Sequence, residues 1–416
     1  MRLYVPMKER VRSRKAPLHP APAQAPQPHS RGVALIMVLV ITTVLSALAA
    51  DLKNETQVNL RAATNARDEL QAYFHAKSAL ELELFVLRFQ SLVKAQLANF
   101  LPMPLFELSG FLVSSDTMKG IVDRNPTPTD EKKKESFALN QPYGDFEGSF
   151  WIEEVVDENR KVNINGNFGI GCENYLHLLL AAVFDDPKYD KLFENIGDSR
   201  DPIRNRLEII AGITDWADGN TTIDPVCIIT RDQSTGGSDE TSSYSQLPYN
   251  ANYKPKNGQF NSVAELRLVP GINDAFMRIF SKYFTAWSDN AGISMRTADQ
   301  FMYRILMRAI AVGPPQPGDE EKFLKFWEEK SLMSALPMGA GQMSPQAFRQ
   351  LLTTAAIPFN EARLKELETK NFIRYDDISA TYRITAIGRV NDASSKITVV
   401  WHDNRAQGDL YYWREE

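Results

Sequence analysis

Cysteine and histidine are scarce in this chain of 416 residues, which contains two cysteines and five histidines. Two thiols are too few for a disulfide framework or for a four-thiolate zinc site. The sequence also lacks the Gly-x-Ser-x-Gly, His-Glu-x-x-His and Gly-x-x-x-x-Gly-Lys patterns of serine hydrolases, zinc peptidases and phosphate-binding loops. We therefore expect no catalytic residues and a role other than that of an enzyme.

One stretch of the chain is uncharged: no charged side chain occurs between Arg31 and Asp51. A helix of that length, rising about 1.5 Å per residue, spans a hydrocarbon core of roughly 30 Å. Residues 1–32 carry seven Lys or Arg and a single acid, Glu9, so the positive-inside rule places the N-terminus in the cytoplasm. The sequence predicts one membrane span with a large body on the opposite side.

Proline and glycine are absent from Asp51 to Phe89. Good helix formers dominate this stretch, and its apolar residues recur at helical spacing. We predict that the membrane helix continues out of the bilayer as a stalk, of the order of 60 residues and ~90 Å in all. The leader before it, residues 1–31, is rich in proline and alanine and cannot supply a packed core.

The net charge of −5 combines this basic leader with an acidic body, and an acidic body repels nucleic acid. One segment, Leu266–Ile272, is similar to a helix-hairpin-helix, which can present backbone amides to DNA phosphates. The neighbouring acids Glu265 and Asp274 favour a structural hairpin instead. We expect no nucleic-acid partner.

Strand patterns flank a central helical region. The sequence predicts a strand at Ser149–Val156, a turn at Asp157–Arg160 and a return strand at Lys161–Ile164. Two further strands are predicted near the end of the chain, at Tyr382–Ile387 and Lys396–Trp401. Helical periodicity marks the segments between them, at 174–218, 262–285, 297–311 and 319–334. These patterns predict an α+β fold into which an amphipathic helical block is inserted.

Oxygen-bearing side chains lie close together in one acidic stretch and its following loop: Asp215, Asp218, Asn220, Asp239 and Glu240. Hard oxygen ligands on a flexible loop suit calcium, which takes six to eight of them at about 2.3–2.6 Å. The stretch is not an EF-hand, because Ile229 stands where that motif needs a bidentate glutamate. The residues alone leave open the alternative of a helix end followed by a solvated polar loop.

The two cysteines, Cys172 and Cys227, flank the first predicted helical stretch. In an oxidising compartment a disulfide between them would close a long loop and stabilise the fold by ~3–4 kcal/mol. The alternative is a pair of unpaired buried thiols. We favour the disulfide.

The start of the apolar run resembles a type IV prepilin signal, in which a peptidase cuts after a glycine at the cytoplasmic membrane face. Here Gly32 lies between Arg31 and the apolar run, so the mature chain would begin at Val33 with a methylated amine. The residues alone also fit an uncleaved signal anchor. Most pilin-like proteins carry glutamate at the fifth mature position, where this chain has Met37.

Several later segments carry distinctive residues in a fixed order along the chain: Asp157–Asn165, Ile213–Asn220, Tyr253–Asn257, Ser262–Gly271, Ile293–Ala298 and Tyr382–Val390. Together with the missing glutamate, these segments resemble the general secretion pathway protein K family, the minor pseudopilins of type II secretion systems. That family typically lacks the glutamate. The resemblance covers about residues 33–91 and 149–400.

The resemblance implies a pilin-like α+β fold with a long N-terminal transmembrane and stalk helix, an antiparallel sheet and a large inserted α-helical domain. The expected divisions are a leader at 1–32, the helix at 33–91, the first pilin-like part at 92–170, the insertion at 171–312 and the last pilin-like part at 313–416.

The resemblance also implies a function. The chain would be anchored in the bacterial inner membrane with its body in the periplasm, where it would bind calcium at the acidic stretch. Its expected partners are two other minor pseudopilins in a complex at the pseudopilus tip, the major pseudopilin and the prepilin peptidase. The alternative is a signal-anchored periplasmic enzyme or ligand-binding protein, which would retain residues 1–32.

Overall fold

The computed structural model describes the greater part of the chain. The described residues are 30–97, 113–117, 148–166, 174–194, 200–228, 233–235, 239–240, 244, 253–288, 292–334, 343–375, 380–404 and 408–416. The chain has two compact units, Met1–Asn65 and Ala66–Glu416.

Helix α1 extends from Ser30 to Leu97. Within it, Gly32–Phe89 is long and apolar enough to cross a membrane by length and composition. Every side chain from Val33 to Ala50 is exposed, as expected for a segment whose surroundings are lipid rather than protein. The predicted continuous helix is confirmed, and it ends six residues beyond the predicted boundary at residue 91.

The other helices whose bounds the structure describes lie in the second unit. They are α2 (Tyr175–Phe184), α3 (Asp190–Phe193), α4 (Pro202–Ala217), α5 (Asp274–Phe280), α6 (Gln300–Ile310), α7 (Pro317–Ser334), α8 (Pro345–Thr354) and α9 (Glu361–Thr369).

The strands are β1 (Ser149–Asp157), β2 (Val162–Asn163), β3 (Val226–Ile228), β4 (Gln233–Thr235), β5 (Phe284–Thr285), β6 (Ile293–Ser294), β7 (Ile373–Arg374), β8 (Thr381–Val390), β9 (Ala393–His402) and β10 (Asp409–Glu415). Four of them form an antiparallel sheet in the order β1-β8-β9-β10. The first strand of the sheet therefore pairs with a strand more than two hundred residues later, and the helical region lies between them in sequence. The predicted fold class is confirmed.

The predicted return strand after β1 is wrong. The Asp157 carboxylate accepts a hydrogen bond from the Asn159 backbone N–H at 2.8 Å, which caps a short 3₁₀ turn at Glu158–Arg160. The chain then leaves the sheet, and β2 pairs in parallel with β5. Val162 is fully buried in the helical core, so burial there, rather than a local hairpin, determines its pairing.

Helix α1 packs on the sheet through small residues. Ala72, Ala76 and Ala79 are fully buried, and a Cβ added at Gly388 of β8 would overlap the Ala72 carbonyl oxygen and the Ala76 nitrogen. The absence of a side chain at Gly388 therefore lets the helix backbone contact the strand. Leu80, Ile384 and other apolar residues complete this core.

A second, larger core joins the helices with β2 and β5–β7. Phe184 lies at its centre, with its ring 5.1–5.6 Å from those of Phe193, Phe276 and Phe280. Leu266 and Ile272 of the hairpin-like segment are also buried there. The core includes residues of α7, α8 and α9 as well. The helical block therefore continues to about residue 375, beyond the boundary predicted at 312, because the apolar faces of these later helices pack on the earlier ones.

A buried ion pair marks the junction between sheet and helical block. The Lys161 ammonium and the Arg383 guanidinium each lie 2.8 Å from Oε1 of Glu158, whose side chain is fully buried. Burial alone would raise the pKa of Glu158, but the two cations lower it below its ordinary value. Arg383 also lies over the ring of Trp287, at 5.2 Å.

Candidate functional site

Two features of the described residues carry the functional argument: the surface of α1 and an acidic cluster at the end of α4. On α1, the predicted processing residues Gly32 and Val33 lie near its start, and Met37 lies one turn further along. A Cβ at Gly32 would contact no described residue outside the adjacent helix backbone. Val33 is 60% exposed and Met37 is 64% exposed.

The second half of α1 has two opposite faces. Residues such as Ala76 and Leu80 are buried against the sheet, whereas large apolar side chains on the other side are more than half exposed. Those exposed side chains are Leu70, Phe74, Phe85 and Phe89. With 3.6 residues per turn these four lie within one third of the helix circumference. We call this face the aromatic stripe.

The acidic cluster is built where α4 ends. Asp215 lies in the last turn, and Asp218 is the C-cap, with its N–H donating to the Thr214 carbonyl at 3.0 Å. The Asp218 carboxylate accepts from the Asn220 side-chain amide at 2.7 Å. Glu240 is brought to the same place by its own N–H, which donates to the Thr221 carbonyl at 3.3 Å.

One carboxylate oxygen each from Asp215, Asp218 and Glu240 lies within 4.8 Å of the other two. Asp215 and Glu240 are 3% and 1% exposed. Neither carboxylate oxygen of Glu240 has a hydrogen-bond partner among the described residues. A buried carboxylate without a donor costs free energy unless a proton or a cation neutralises it.

The electrostatics of the cluster are unfavourable for three negative charges. Burial, followed by repulsion from Glu240 and Asp218, raises the pKa of Asp215 to about 8. Burial, followed by the charge of Asp218, raises the pKa of Glu240 to about 7. Burial also raises the pKa of Asp218. The raised pKa values mean that the cluster holds protons readily, and any cation placed there would have to compete with them.

The structure brings three of the five predicted ligands together. Asn220 is an exposed neighbour whose Oδ1 accepts from the Thr222 N–H at 2.7 Å. Asp239 is exposed and lies outside the group of three, although its charge contributes to the raised pKa of Glu240.

Sequence reasoning missed Asp224, whose N–H donates to Oδ1 of Asp215 at 3.3 Å and whose charge raises the pKa of all three clustered acids. The signal for it was an acid only six residues after Asp218.

A group of aromatic rings is built around Trp216. The ring of Trp216, the residue after Asp215, lies 6.0–6.3 Å from those of Tyr244, Tyr253 and Phe260. The Tyr244 hydroxyl donates to the Gly212 carbonyl at 3.4 Å. Burial is the largest cause of the raised pKa values of Asp215 and Glu240.

The predicted disulfide lies outside the described residues. Cys172 is not among the described residues, and Cys227 is described only as part of the backbone of β3. The pairing of the two thiols stays a prediction.

Comparison with known proteins finds a likeness among solved structures. No protein-family model matches this chain, and no curated protein matches it. Among solved structures, it is similar to a chain in the crystal structure of the GspK-GspI-GspJ complex from the type 2 secretion system of enterotoxigenic Escherichia coli, with a TM-score of 0.50 and 14% sequence identity. The match covers 86% of this chain and 99% of that chain. The chain therefore has a GspK-like pseudopilin fold, as the sequence resemblance predicts.

Proposed function

We propose that this chain is a minor pseudopilin of a type II protein secretion system. In this proposal it occupies the pseudopilus tip together with two other minor pseudopilins and promotes assembly of the pseudopilus for export across the outer membrane. It acts as an assembly component and not as an enzyme. The GspK-like fold supports this proposal, and the solved chain to which it is similar occurs in a complex with GspI and GspJ.

One observation carries the proposal: α1 combines an exposed apolar start with a second half fixed to an antiparallel sheet. A simple membrane anchor needs only the exposed apolar start. The close contact between α1 and Gly388 of β8 also holds the sheet directly on this helix. A subunit that enters a filament through a bundle of helices needs this combination.

The aromatic stripe supplies the proposed contact with other subunits. Leu70, Phe74, Phe85 and Phe89 face away from the sheet and are more than half exposed. Exposed apolar patches of this kind mark protein–protein contacts. We propose that the stalk helices of the other minor pseudopilins and of the major pseudopilin pack here.

Met37 supports placement at the tip. In an apolar helix bundle an unpaired terminal amine is costly, and a neighbour's glutamate at the fifth mature position would compensate it. Met37 cannot do so, whereas a subunit added below can use its own glutamate against this chain. The helical block, which extends to about residue 375, would also clash within a regular filament.

Processing gives the sharpest test of this function. We propose that the prepilin peptidase of the inner membrane cuts after Gly32, so that the body lies in the periplasm behind a mature N-terminus at Val33. Mass spectrometry of the full chain from the membrane fraction should show a methylated Val33. The variant Gly32→Leu should stay uncut, whereas Ala50→Leu, at the other end of the apolar run, should be cut normally. Retention of residues 1–32 in the unchanged chain would contradict the proposal.

Co-purification tests the partners. The double variant Phe74→Ser/Phe85→Ser should lose the two other minor pseudopilins, because it removes two rings from the aromatic stripe. Val312→Ser is the matched control, since Val312 is 60% exposed outside the stripe. Equal recovery of the partners with both variants would exclude the stripe as the contact.

We also propose that the acidic cluster binds calcium as a structural ion. Asp215, Asp218 and Glu240 would supply ligands, with the predicted residues Asn220 and Asp239 as further oxygen donors. The fit rests on the donor set, which is all oxygen, and on the buried Glu240 carboxylate that no described donor satisfies. A bound dication would offset two of the three negative charges and would link the end of α4 to the chain around residue 240.

Terbium replaces calcium at oxygen sites and emits when a nearby aromatic ring is excited. Trp216, next to Asp215 in sequence and packed against Tyr244, is suited to sensitise it. We expect terbium emission that calcium quenches by competition, and loss of both effects in Glu240→Gln. Glu208→Gln, an exposed acid on the same helix, should leave the emission unchanged. Emission that calcium does not displace would count against the site.

We further propose that Cys172 and Cys227 form a disulfide in the periplasm. Peptide mapping of the full chain without reductant should recover the two cysteines in one cross-linked peptide. Two free thiols would refute it.

A further inference from the structure

Strand β10 lies at one end of the sheet, so only one of its edges is paired with a described strand. Beside its end, Glu416 exchanges both backbone hydrogen bonds with Lys396 of β9, at 2.8 and 2.9 Å. Along a strand of an antiparallel pair, residues whose backbone groups bond to the partner strand alternate with residues whose backbone groups point away from it. Consequently Arg414 also bonds toward β9, whereas the backbone groups of Trp413 and Glu415 point outward. These outward groups offer two donors and two acceptors.

The opposite edge of the sheet is covered. The Ile152 N–H of β1 donates to the Val113 carbonyl at 3.3 Å, and Ser114 forms a bridge with Trp151. The chain thus blocks one edge with its own segment. An uncovered edge is a template for a strand from another chain.

Apolar side chains stand beside the open edge. Leu410, Tyr411 and Trp413 are 52%, 44% and 38% exposed. Strand addition draws its affinity from backbone hydrogen bonds and its specificity from side-chain contacts of this kind. The strand is also held in place before any partner arrives, because the Tyr412 ring contacts Trp287 at 5.2 Å. The one bulge, between Leu410 and Tyr412, lies at the start of the strand and leaves the rest regular.

Charge indicates what kind of strand fits. Asp409, Glu415 and Glu416 outnumber the single cation Arg414 along this edge. Like charges placed opposite each other disfavour pairing, and opposite charges favour it. The complementary segment is therefore extended, apolar and basic, and a second copy of this acidic edge fits less well.

We infer that the outer edge of β10 binds an extended apolar segment with basic side chains from another pseudopilin subunit, which joins the sheet as its fifth strand. This inference rests on the proposed function. It adds a backbone-mediated contact in the head to the helix contacts in the stalk.

The test uses the full chain, co-expressed with the two other minor pseudopilins and purified from membranes in detergent. Glu415→Pro removes one outward N–H while leaving the bonds to β9, since that N–H does not point toward β9, and proline is tolerated at sheet edges. Glu415→Ala controls for the lost carboxylate. We expect Glu415→Pro to reduce partner recovery about tenfold, and Glu415→Ala to reduce it far less.

Hydrogen exchange provides a second readout that does not depend on the variant's folding. The Trp413 and Glu415 amides of the unchanged chain should exchange more slowly in the complex than in the chain alone. Equal recovery with both variants, or unchanged exchange, overturns the inference. Slower exchange of the chain alone at rising concentration would identify a second copy as the occupant and also overturn it. Failure of the unchanged chain to co-purify with either subunit would instead contradict the proposed function.

Discussion

Asn391, in the turn between β8 and β9, donates a hydrogen bond from its side-chain amide to Oδ2 of Asp68 on α1 at 2.8 Å. The two residues are 323 positions apart in sequence. Asn391 has a φ of 51°, so its backbone occupies the left-handed region that suits a tight hairpin turn. The bond from Asn391, followed by that from Arg67, holds the pKa of Asp68 below its ordinary value. This hydrogen bond therefore links the β8–β9 hairpin to helix α1.

Removing this bond should lower the stability of the second unit. Asn391→Gly deletes the amide but retains a residue that tolerates positive φ. Because the pKa of Asp68 is lowered in the fold, the stabilisation is present above the ordinary pKa and is lost as pH falls through the folded value. The melting temperature of the full chain in detergent should therefore fall at pH 7, and the difference from the unchanged chain should shrink as the pH falls below the ordinary pKa of an aspartate. A difference independent of pH would show that Asp68 is not involved.

Gly388 should tolerate no side chain. Gly388→Ala places a Cβ against the backbone of α1 at Ala72 and Ala76, and backbone atoms cannot rotate away. We expect a loss of about 1–3 kcal/mol in the free energy of unfolding, the usual cost of overpacking. Gly219→Ala is the control, since a Cβ there would meet no described residue beyond its chain neighbours within 4 Å. Denaturant unfolding of both variants checks this, and equal stability would mean that helix and strand can separate at no cost.

The buried ion pair at the junction should be sensitive to removal of one partner. Glu158→Gln leaves Lys161, only 8% exposed, without its carboxylate, and such a loss costs about 3–5 kcal/mol. The exposed pair of Glu153 with Lys396 gives a matched comparison, and Glu153→Gln should cost ~0–1 kcal/mol. Similar values for the two variants would indicate that the junction is more hydrated than the structure shows.

The local sequence pattern predicted those sheet strands in which one face is more buried than the other. Along β8 every second residue from Tyr382 to Val390 is buried, and along β9 the alternate residues Ile397, Val399 and Trp401 are buried. The predicted strands at Tyr382–Ile387 and Lys396–Trp401 are confirmed. Strand β10 was missed because all its side chains except Tyr412 are exposed, so it has no alternation to detect. Helices α8 and α9 were missed although Ser344 and Asn360 cap them. These capping residues were the available signal.

Features that depend on distant contacts could not be predicted from local pattern. Nothing near Val162 indicates that β2 pairs with β5, since the pairing depends on the helical core. The cluster was predictable as a set of oxygen ligands, but the selection of Asp215, Asp218 and Glu240 depends on how the loop returns to the end of α4. The raised pKa values follow from that folding and from burial, which the sequence does not display.

Calcium binding should strengthen as pH rises. The pKa values of Asp215 and Glu240 are about 8 and about 7 in the fold, well above their ordinary values. Without a cation, the folded chain therefore holds protons that the unfolded chain releases, so this contribution to stability is lost as pH rises from about 4 to about 8. Calcium competes with the same protons. Its stabilising effect on the melting temperature should thus be larger at pH 8 than at pH 5.5.

The size of the effect follows from binding linkage. At a calcium concentration one hundred times Kd, the free energy of unfolding should rise by about 2.7 kcal/mol. Magnesium should stabilise less, because it demands octahedral geometry and loses water reluctantly. Glu240→Gln is the control: it should remove the calcium effect on the melting temperature, and with it the difference in that effect between pH 5.5 and pH 8. An equal calcium effect at both pH values would mean that the ion binds elsewhere.

The tip position predicts an unusual tolerance at Met37. Met37→Glu introduces an acid into the apolar part of α1, which costs about 2.5–3.5 kcal/mol at the centre of a span and less near its end. If no subunit lies beyond this one, the carboxylate finds no terminal amine to pair with, so assembly should be unchanged or slightly weakened. Ile41→Glu, one turn deeper on the same face, is the control and should be more harmful. Secretion assays and labelling of the chain along purified pseudopili measure both. An increase in secretion, or repeated insertion of Met37→Glu along the filament, would show that Met37 alone excludes this chain from the shaft and that the bulk of the helical block does not.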